Sequence, residues 1–185
     1  FFFKQKTAYE ISTRDWSSDV CSSDLDKFMD YARPEDSLTR AVDLTEIITR
    51  EAVAFRDPRQ IRIGLKLPQG LMVLGDDVEL GRVFANLFEN ARRYGRTVDT
   101  GVAKVLVSHV KIGDAVIIAV RDHGPGVPPE KLPHLTTPFF RGDAARTAAT
   151  GAGLGLAIVK KALQRMGGSL ELNNAREGGL LAHIR

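Results

Sequence analysis

The sequence predicts an α/β protein, an α+β two-layer sandwich in which a mixed, largely antiparallel sheet lies under about three helices. Three stretches carry this prediction. Residues 76–94 read as one amphipathic helix, and residues 105–121 read as two strands joined at Gly113-Asp114. A glycine-rich run from Gly151 opens a second apolar helix that Gly167-Gly168 ends. With 185 residues, 43% of them hydrophobic, the chain fits one domain with a short appendage. No apolar run approaches the roughly 18 residues of a membrane span. A net charge of +3, with Lys and Arg scattered, argues against nucleic acid as a partner. The single cysteine, Cys21, excludes an intrachain disulfide and a cysteine metal site, and fits a reducing, cytosolic setting.

Residues 1–25 stand apart. They show no sustained period, yet hold the only Trp (Trp16) and three of the nine Phe. They lack the basic start, apolar middle and small-residue cleavage site of a secretory signal. The stretch resembles a translated sequencing adapter, since Cys21 to Leu25 can be read from the bases TGCTCTTCCGATCT. It is read as non-native, a genuine disordered tail being the alternative, and no function is assigned to it. Residues 26–33 look like the end of a helix stopped by Pro34, with residues to 42 as a linker.

From residue 43 the elements follow in order. Asp43 and Glu46 form a capping-box-like start to a helix that turns Leu44, Ile47, Ile48, Ala52 and Phe55 inward. Ile61, Ile63, Leu65 and Leu67 alternate as a strand, and Leu71 to Leu74 form a short second one. The central helix then carries Val78, Leu80, Val83, Phe84, Leu87, Phe88 and Ala91 on its apolar stripe, with Asp76 or Asp77 as cap and Gly95 as stop. Residues 96–102 read as a polar loop before the 105–121 hairpin. Residues 129–150 read as a long mixed loop, a lid or a disordered segment. Strands over Ser169 to Leu172 and Leu180 to Ile184 close the chain, which stops inside the expected last strand.

Three motifs carry chemistry. Gly151, Gly153 and Gly155 sit at a helix start, where unpaired N–H groups and the helix dipole favour an anion. Alone this is weak, and a flexible helix entry explains it equally well. Asp122, Gly124 and Gly126 form a second glycine turn, after a strand. Its carboxylate is placed to accept from an exocyclic amine or, more plainly, to close its own turn. Asn86 and Asn90 lie four apart on one helix face near the apolar stripe, so their amides need partners. The plain alternative is one satisfied core Asn and one surface Asn. Amide oxygens suit a hard cation such as Mg²⁺, which is commonly shared with substrate phosphates. Amine reader, phosphate cradle and metal helix together imply a Mg-nucleoside triphosphate site. No GxxxxGK[ST] run exists, so it is not a P-loop.

The order and spacing of these motifs resemble the ATP-binding catalytic domain of sensor histidine kinases, within the gyrase–Hsp90–histidine kinase–MutL ATPases. NLFENARRY looks like the N box, DHGPG the G1 box, PFFRGD the F box and GAGLGLAIV the G2 box. The likeness spans residues 43–185 and is nearest to osmosensor kinases of the EnvZ type, whose dimerisation helices end like DKFMDYAR. It implies a Bergerat-type ATP-binding fold with an ATP lid. It implies that Asn90 ligates Mg²⁺ with help from Asn86, that Arg93 lies near the phosphates and that Tyr94 packs by the adenine. Asp122 would read the adenine amine, with Gly124 and Gly126 shaping the pocket. Phe139 and Phe140 would anchor the lid, and either Arg141 or Arg146 would reach the γ-phosphate. Gly151, Gly153, Leu154 and Gly155 would hold the lid hinge and the phosphates.

The resemblance also implies partners: dimerisation and phosphoacceptor helices, and an OmpR-like response regulator. The parent kinase would sit in a bacterial inner membrane with this domain in the cytoplasm. Three departures stand out. Ala152 replaces a common Thr, the chain stops short of the usual closing residues, and no phosphoacceptor motif surrounds His109, His123, His134 or His183. The expectation is therefore Mg-ATP binding without autophosphorylation. Alternatives are a nucleotide-binding module without activity, or a hydrolysing ATPase. Against the latter, Asn86 stands where such ATPases place a water-activating Glu.

Overall fold

The helices form where the caps and the apolar period coincide. The computed structural model describes residues 27–29, 31, 39–140 and 152–185. Helix α1, Leu44–Ala54, begins at Asp43, whose carboxylate accepts from the Thr45 and Glu46 N–H groups. Helix α2, Asp77–Tyr94, is capped in the same way by Asp76, bonded to Val78 and Glu79, and stops at Gly95. Each cap contributes on the order of 1 kcal/mol by satisfying otherwise orphaned donors. Helix α3, Gly155–Arg165, lacks a side-chain cap and starts four residues later than the glycine run.

Seven strands are described: β1 Arg40–Asp43, β2 Ile61–Lys66, β3 Met72–Gly75, β4 Ala103–Ile112, β5 Ala115–Asp122, β6 Leu170–Asn174 and β7 Leu180–Ile184. Five form one sheet in the order β2-β4-β5-β7-β6; only β2 and β4 run parallel. The strands β1 and β3 make a separate antiparallel pair. The mixed, largely antiparallel sandwich expected from the sequence is therefore present.

The helices cover one face of the five-stranded sheet. Ile47 and Ile48 of α1, Phe84 and Phe88 of α2, and Val159 and Leu163 of α3 share one core with Val107, Ile118, Val120 and Ala182. Phe84 and Phe88 are fully buried, and Phe55 meets Phe88 edge-on at 5.8 Å between ring centroids. Each such ring contributes about 1.5–3 kcal/mol through removal from water.

Four details depart from the sequence reading. Val78, placed on the α2 stripe, is 57% exposed, and the buried apolar stripe starts at Leu80. Strand β1 was not anticipated. The long mixed loop contains a 3-10 helix, Pro129–His134, started by the proline that fixes its first turn. Leu67 follows β2 rather than ending it. Residues 1–25, Arg141, Arg146 and Gly151 lie outside the described residues.

Candidate functional site

Four segments converge at one end of the sandwich: the end of α2, the turn after β5, the β6–β7 hairpin and the entry to α3. Asp122, the last residue of β5, points to the helical side and is 8% exposed. Its Oδ1 accepts from the Gly124 N–H at 2.9 Å and the Leu180 N–H at 3.1 Å. Among the described residues no hydrogen bond reaches Oδ2. The turn is thus closed through one oxygen of the carboxylate alone. Burial pushes the Asp122 carboxyl above its usual range, and the two N–H donors only partly offset this.

Glycines make the convergence possible. A Cβ on Gly95 would lie 2.7 Å from the Asp122 Cβ, and one on Gly124 would lie 2.6 Å from the Gly95 Cα. A Cβ on Gly179 would lie 1.9 Å from the Asp122 carbonyl oxygen. Three backbones therefore meet around Asp122 at separations that no larger residue permits. Gly95 was read only as a helix stop and Gly179 only as loop. The sequence clue was present, three glycine sites at three element ends, but their meeting is a tertiary fact. Tyr94 is 43% exposed at the rim.

One helical turn earlier, Asn86 donates from Nδ2 to the Arg82 carbonyl at 2.9 Å. Its Oδ1 faces the start of α3, 3.3 Å from where a Gly155 Cβ would be. Asn90 is half-buried, and among the described residues its amide receives and makes no hydrogen bond. The Asn86 amide oxygen therefore borders the G2 entry. Among the described residues no three His, Cys, Asp or Glu side chains cluster as metal ligands. A hard cation here would draw on amides, phosphates and water, the donor set that suits Mg²⁺.

Arg93 donates from Nε to Glu89, which also takes both Nε and Nη2 of Arg92. Arg92 reaches on to the Gln60 Oε1 at 2.6 Å. Burial alone would raise the Glu89 carboxyl, but hydrogen bonds and charge from Arg92 and Arg93 outweigh it and hold the group below its usual value. The basic end of α2 is thus tied both to Glu89 on its own helix and to Gln60 before β2.

The lid side begins with a backbone tether. The Phe139 N–H donates to the Gly153 carbonyl at 3.0 Å, joining the F-box segment to the G2 glycines. Phe139 itself adopts φ 63°, left-handed for a non-glycine residue, and its ring is 59% exposed. Phe140 stacks obliquely on His134, centroids 5.7 Å apart. Leu154 is 1% exposed, so its side chain is sealed from solvent at the entry to α3.

This fold is shared with the catalytic domains of sensor histidine kinases. Residues 75–185 match the profile of the histidine kinase-, DNA gyrase B- and HSP90-like ATPases, and the chain belongs to that family. It is 33% identical over 146 residues to the signal transduction histidine-protein kinase AfsQ2 of Streptomyces coelicolor, covering 78% of this chain and 25% of that one. Among solved structures, a mycobacterial sensor histidine kinase MprB superposes with a TM-score of 0.66 at 31% identity, over 80% of this chain and 95% of that one. Full-length ShkA in complex with AMPPNP gives a TM-score of 0.71 at 26% identity, covering 90% and 35% of the two chains. The chain spans about a quarter of the length of the curated relatives it matches.

Proposed function

We propose that this domain binds Mg-ATP and transfers its γ-phosphoryl group to a histidine on a phosphoacceptor helix pair. The observation that carries the reading is Asp122: a buried carboxylate with one oxygen fixed by two N–H groups and the other accepting none among the described residues. Asp122 reads the exocyclic amine. Gly124 and Gly126 shape the base pocket, and Tyr94 flanks it. The AMPPNP complex of ShkA supports a triphosphate as ligand.

Asn90, with help from Asn86, would hold Mg²⁺ through amide oxygens, and the ion would supply charge neutralisation at the phosphates. Gly151, Gly153 and Gly155 lend backbone N–H groups to the phosphates. Arg93, with Arg141 or Arg146, adds positive charge, and Phe139 and Phe140 hold the lid. Such catalysis is mainly positioning and charge neutralisation. None of the four histidines is placed as acceptor: His109 and His183 lie in strands, His134 ends the 3-10 helix and His123 lies in the G1 turn. We therefore assign the acceptor to dimerisation helices ending near residue 33, and the next recipient to an OmpR-like response regulator. The parent is read as an inner-membrane sensor with this domain on the cytoplasmic side. Among the described residues no helix is long and apolar enough to cross a membrane.

Calorimetry with residues 26–185 tests the reading. Mg-dependent ATP binding that Asn90→Ala and Asp122→Ala both abolish is the expected result. ATP-dependent labelling of a supplied phosphoacceptor hairpin domain separates a kinase from a binding-only module. Steady ATP turnover without an acceptor would instead favour a hydrolase, which the amide at Asn86 argues against.

A further inference from the structure

Asn174, the last residue of β6, lies against the far side of the G1 turn. Its amide treats Val127 as a neighbouring strand would. Oδ1 accepts from the Val127 N–H at 2.9 Å, and Nδ2 donates to the Val127 carbonyl at 2.6 Å. Oδ1 also lies 2.8 Å from where a Cβ on Gly126 would stand, and Gly126 adopts φ +77°. The turn is therefore seated on this side chain, and glycine is required where it sits. At the other end of the same hairpin, the Leu180 N–H holds the Asp122 Oδ1.

Residues 174–180 thus grip the turn at both ends, Val127 through Asn174 and Asp122 through Leu180. The hairpin between the grips is internally closed. Ala175 N–H donates to the Gly179 carbonyl at 2.9 Å, and Gly178 N–H to the Ala175 carbonyl at 3.0 Å. Arg121 adds a hydrogen bond to the Gly178 carbonyl at 3.3 Å.

We infer that Asn174 is a positioning residue for base recognition: it fixes the path from Gly124 to Val127, and so where the base ring stands relative to Asp122. The inference rests on the ATP-site reading above. Only a side-chain amide of this length both donates and accepts here. Aspartate keeps the bond from the Val127 N–H and loses the one to its carbonyl, whereas alanine loses both. Because Asn174 is exposed, its bonds act on the turn's path more than on global stability.

The test must separate base recognition from folding. ATP and ITP differ in the exocyclic group, an amine in one and a carbonyl oxygen in the other. Affinities for both are measured by calorimetry for the unaltered chain, Asn174→Ala and Asn174→Asp, with thermal melts and the Gly124 and Gly126 amide resonances alongside. The unaltered chain should prefer ATP by roughly tenfold or more, the worth of a hydrogen bond to a charged group. Asn174→Ala should lower that preference about fivefold through weaker ATP binding, and shift both glycine resonances, while ITP affinity holds within about twofold. Asn174→Asp should fall between, which keeps the inference testable if the alanine variant unfolds. An unchanged ATP/ITP ratio in the folded variants, or equal losses for both nucleotides, overturns the inference and leaves the ATP site standing. Failure of the unaltered chain to bind ATP overturns the site reading, and the inference with it.

Discussion

Asp122 meets two demands with one carboxylate, and the demands pull on stability in opposite directions. Its Oδ1 ties the turn to the β6–β7 hairpin, while burial opposes its charge. An Asn at this position keeps an acceptor for both N–H groups and carries no charge to desolvate. Asp122→Asn should therefore fold at least as stably as the parent at neutral pH, yet lose ATP affinity by roughly tenfold or more through an amide that no longer attracts the base amine. The pH dependence follows from the raised carboxyl value. The folded state holds the proton more tightly than the unfolded chain. Its contribution is full below the unfolded value near ~3.9 and is lost as pH rises through the raised folded value. The melting temperature of Asp122→Asn relative to the parent should thus climb from acid toward neutral pH; a flat difference would contradict the burial argument. The Asp122, Gly124 and Gly126 spacing made this residue legible in the sequence, because strand end, carboxylate and glycines are all local. Gly95, Gly179 and Asn174 were not legible, because each acquires meaning only when three distant chain segments touch.

At the level of elements, α2 and α3 are joined by charge as well as by apolar packing. Glu79 is 8% exposed; its Oε1 takes the Arg82 Nη1 at 2.7 Å and its Oε2 the Arg165 Nη1 at 3.4 Å. Removing Glu79 deletes its charge-assisted hydrogen bonds to Arg82 and Arg165, at a cost of about 1.5–3 kcal/mol. Glu79→Ala should lower the urea midpoint accordingly; a change below about 1 kcal/mol would place the pair in the solvent-screened class. A second fork, Glu89 with Arg92 and Arg93, ties the end of α2 to Gln60 before β2. Here the carboxyl sits below its usual value, so its stabilisation is present above the unfolded value near ~4.3 and is lost as pH falls through the folded one. Glu89→Gln should therefore destabilise at neutral pH and lose that penalty in acid, as thermal melts across pH 2–7 would reveal. The helices themselves were readable, since Asp43, Asp76 and Gly95 mark their ends and the apolar period runs between. Strand β1 was not, because Val42 is its one buried residue and β3 supplies its pairing. The 3-10 helix was hidden for a related reason: Pro128 and Pro129 read equally as a turn and as a helix start.

For the whole molecule, the question is where the folding unit begins. Both sheets and the shared core are made from Arg40 onward. Among the described residues, helical residues 27–29 and 31, a short stub, meet this body at Lys161, whose Nζ donates to the Tyr31 carbonyl at 2.7 Å and lies 4.8 Å from the Tyr31 ring centre. A cavity of about 540 Å³ lies beside this contact, bordered by Tyr31, Thr136, Pro138, Lys160 and Gln164. This part-buried hydrogen bond is worth about 1 kcal/mol net, and that corresponds to about 2–4 °C in a domain of this size. A chain beginning at Thr39 should therefore melt within about 4 °C of the full chain and bind Mg-ATP with affinity unchanged within about twofold. Such a result would make residues 39–185 the folding unit and the stub the end of a separate helical element, free to swing so that the ATP site can reach its acceptor. A larger loss of melting temperature would instead make the stub part of the fold, and would fix the orientation of the acceptor helices through the Lys161–Tyr31 contact. Lys161→Ala in the full chain distinguishes a local contact from a structural one, since it removes the hydrogen bond and leaves the stub in place.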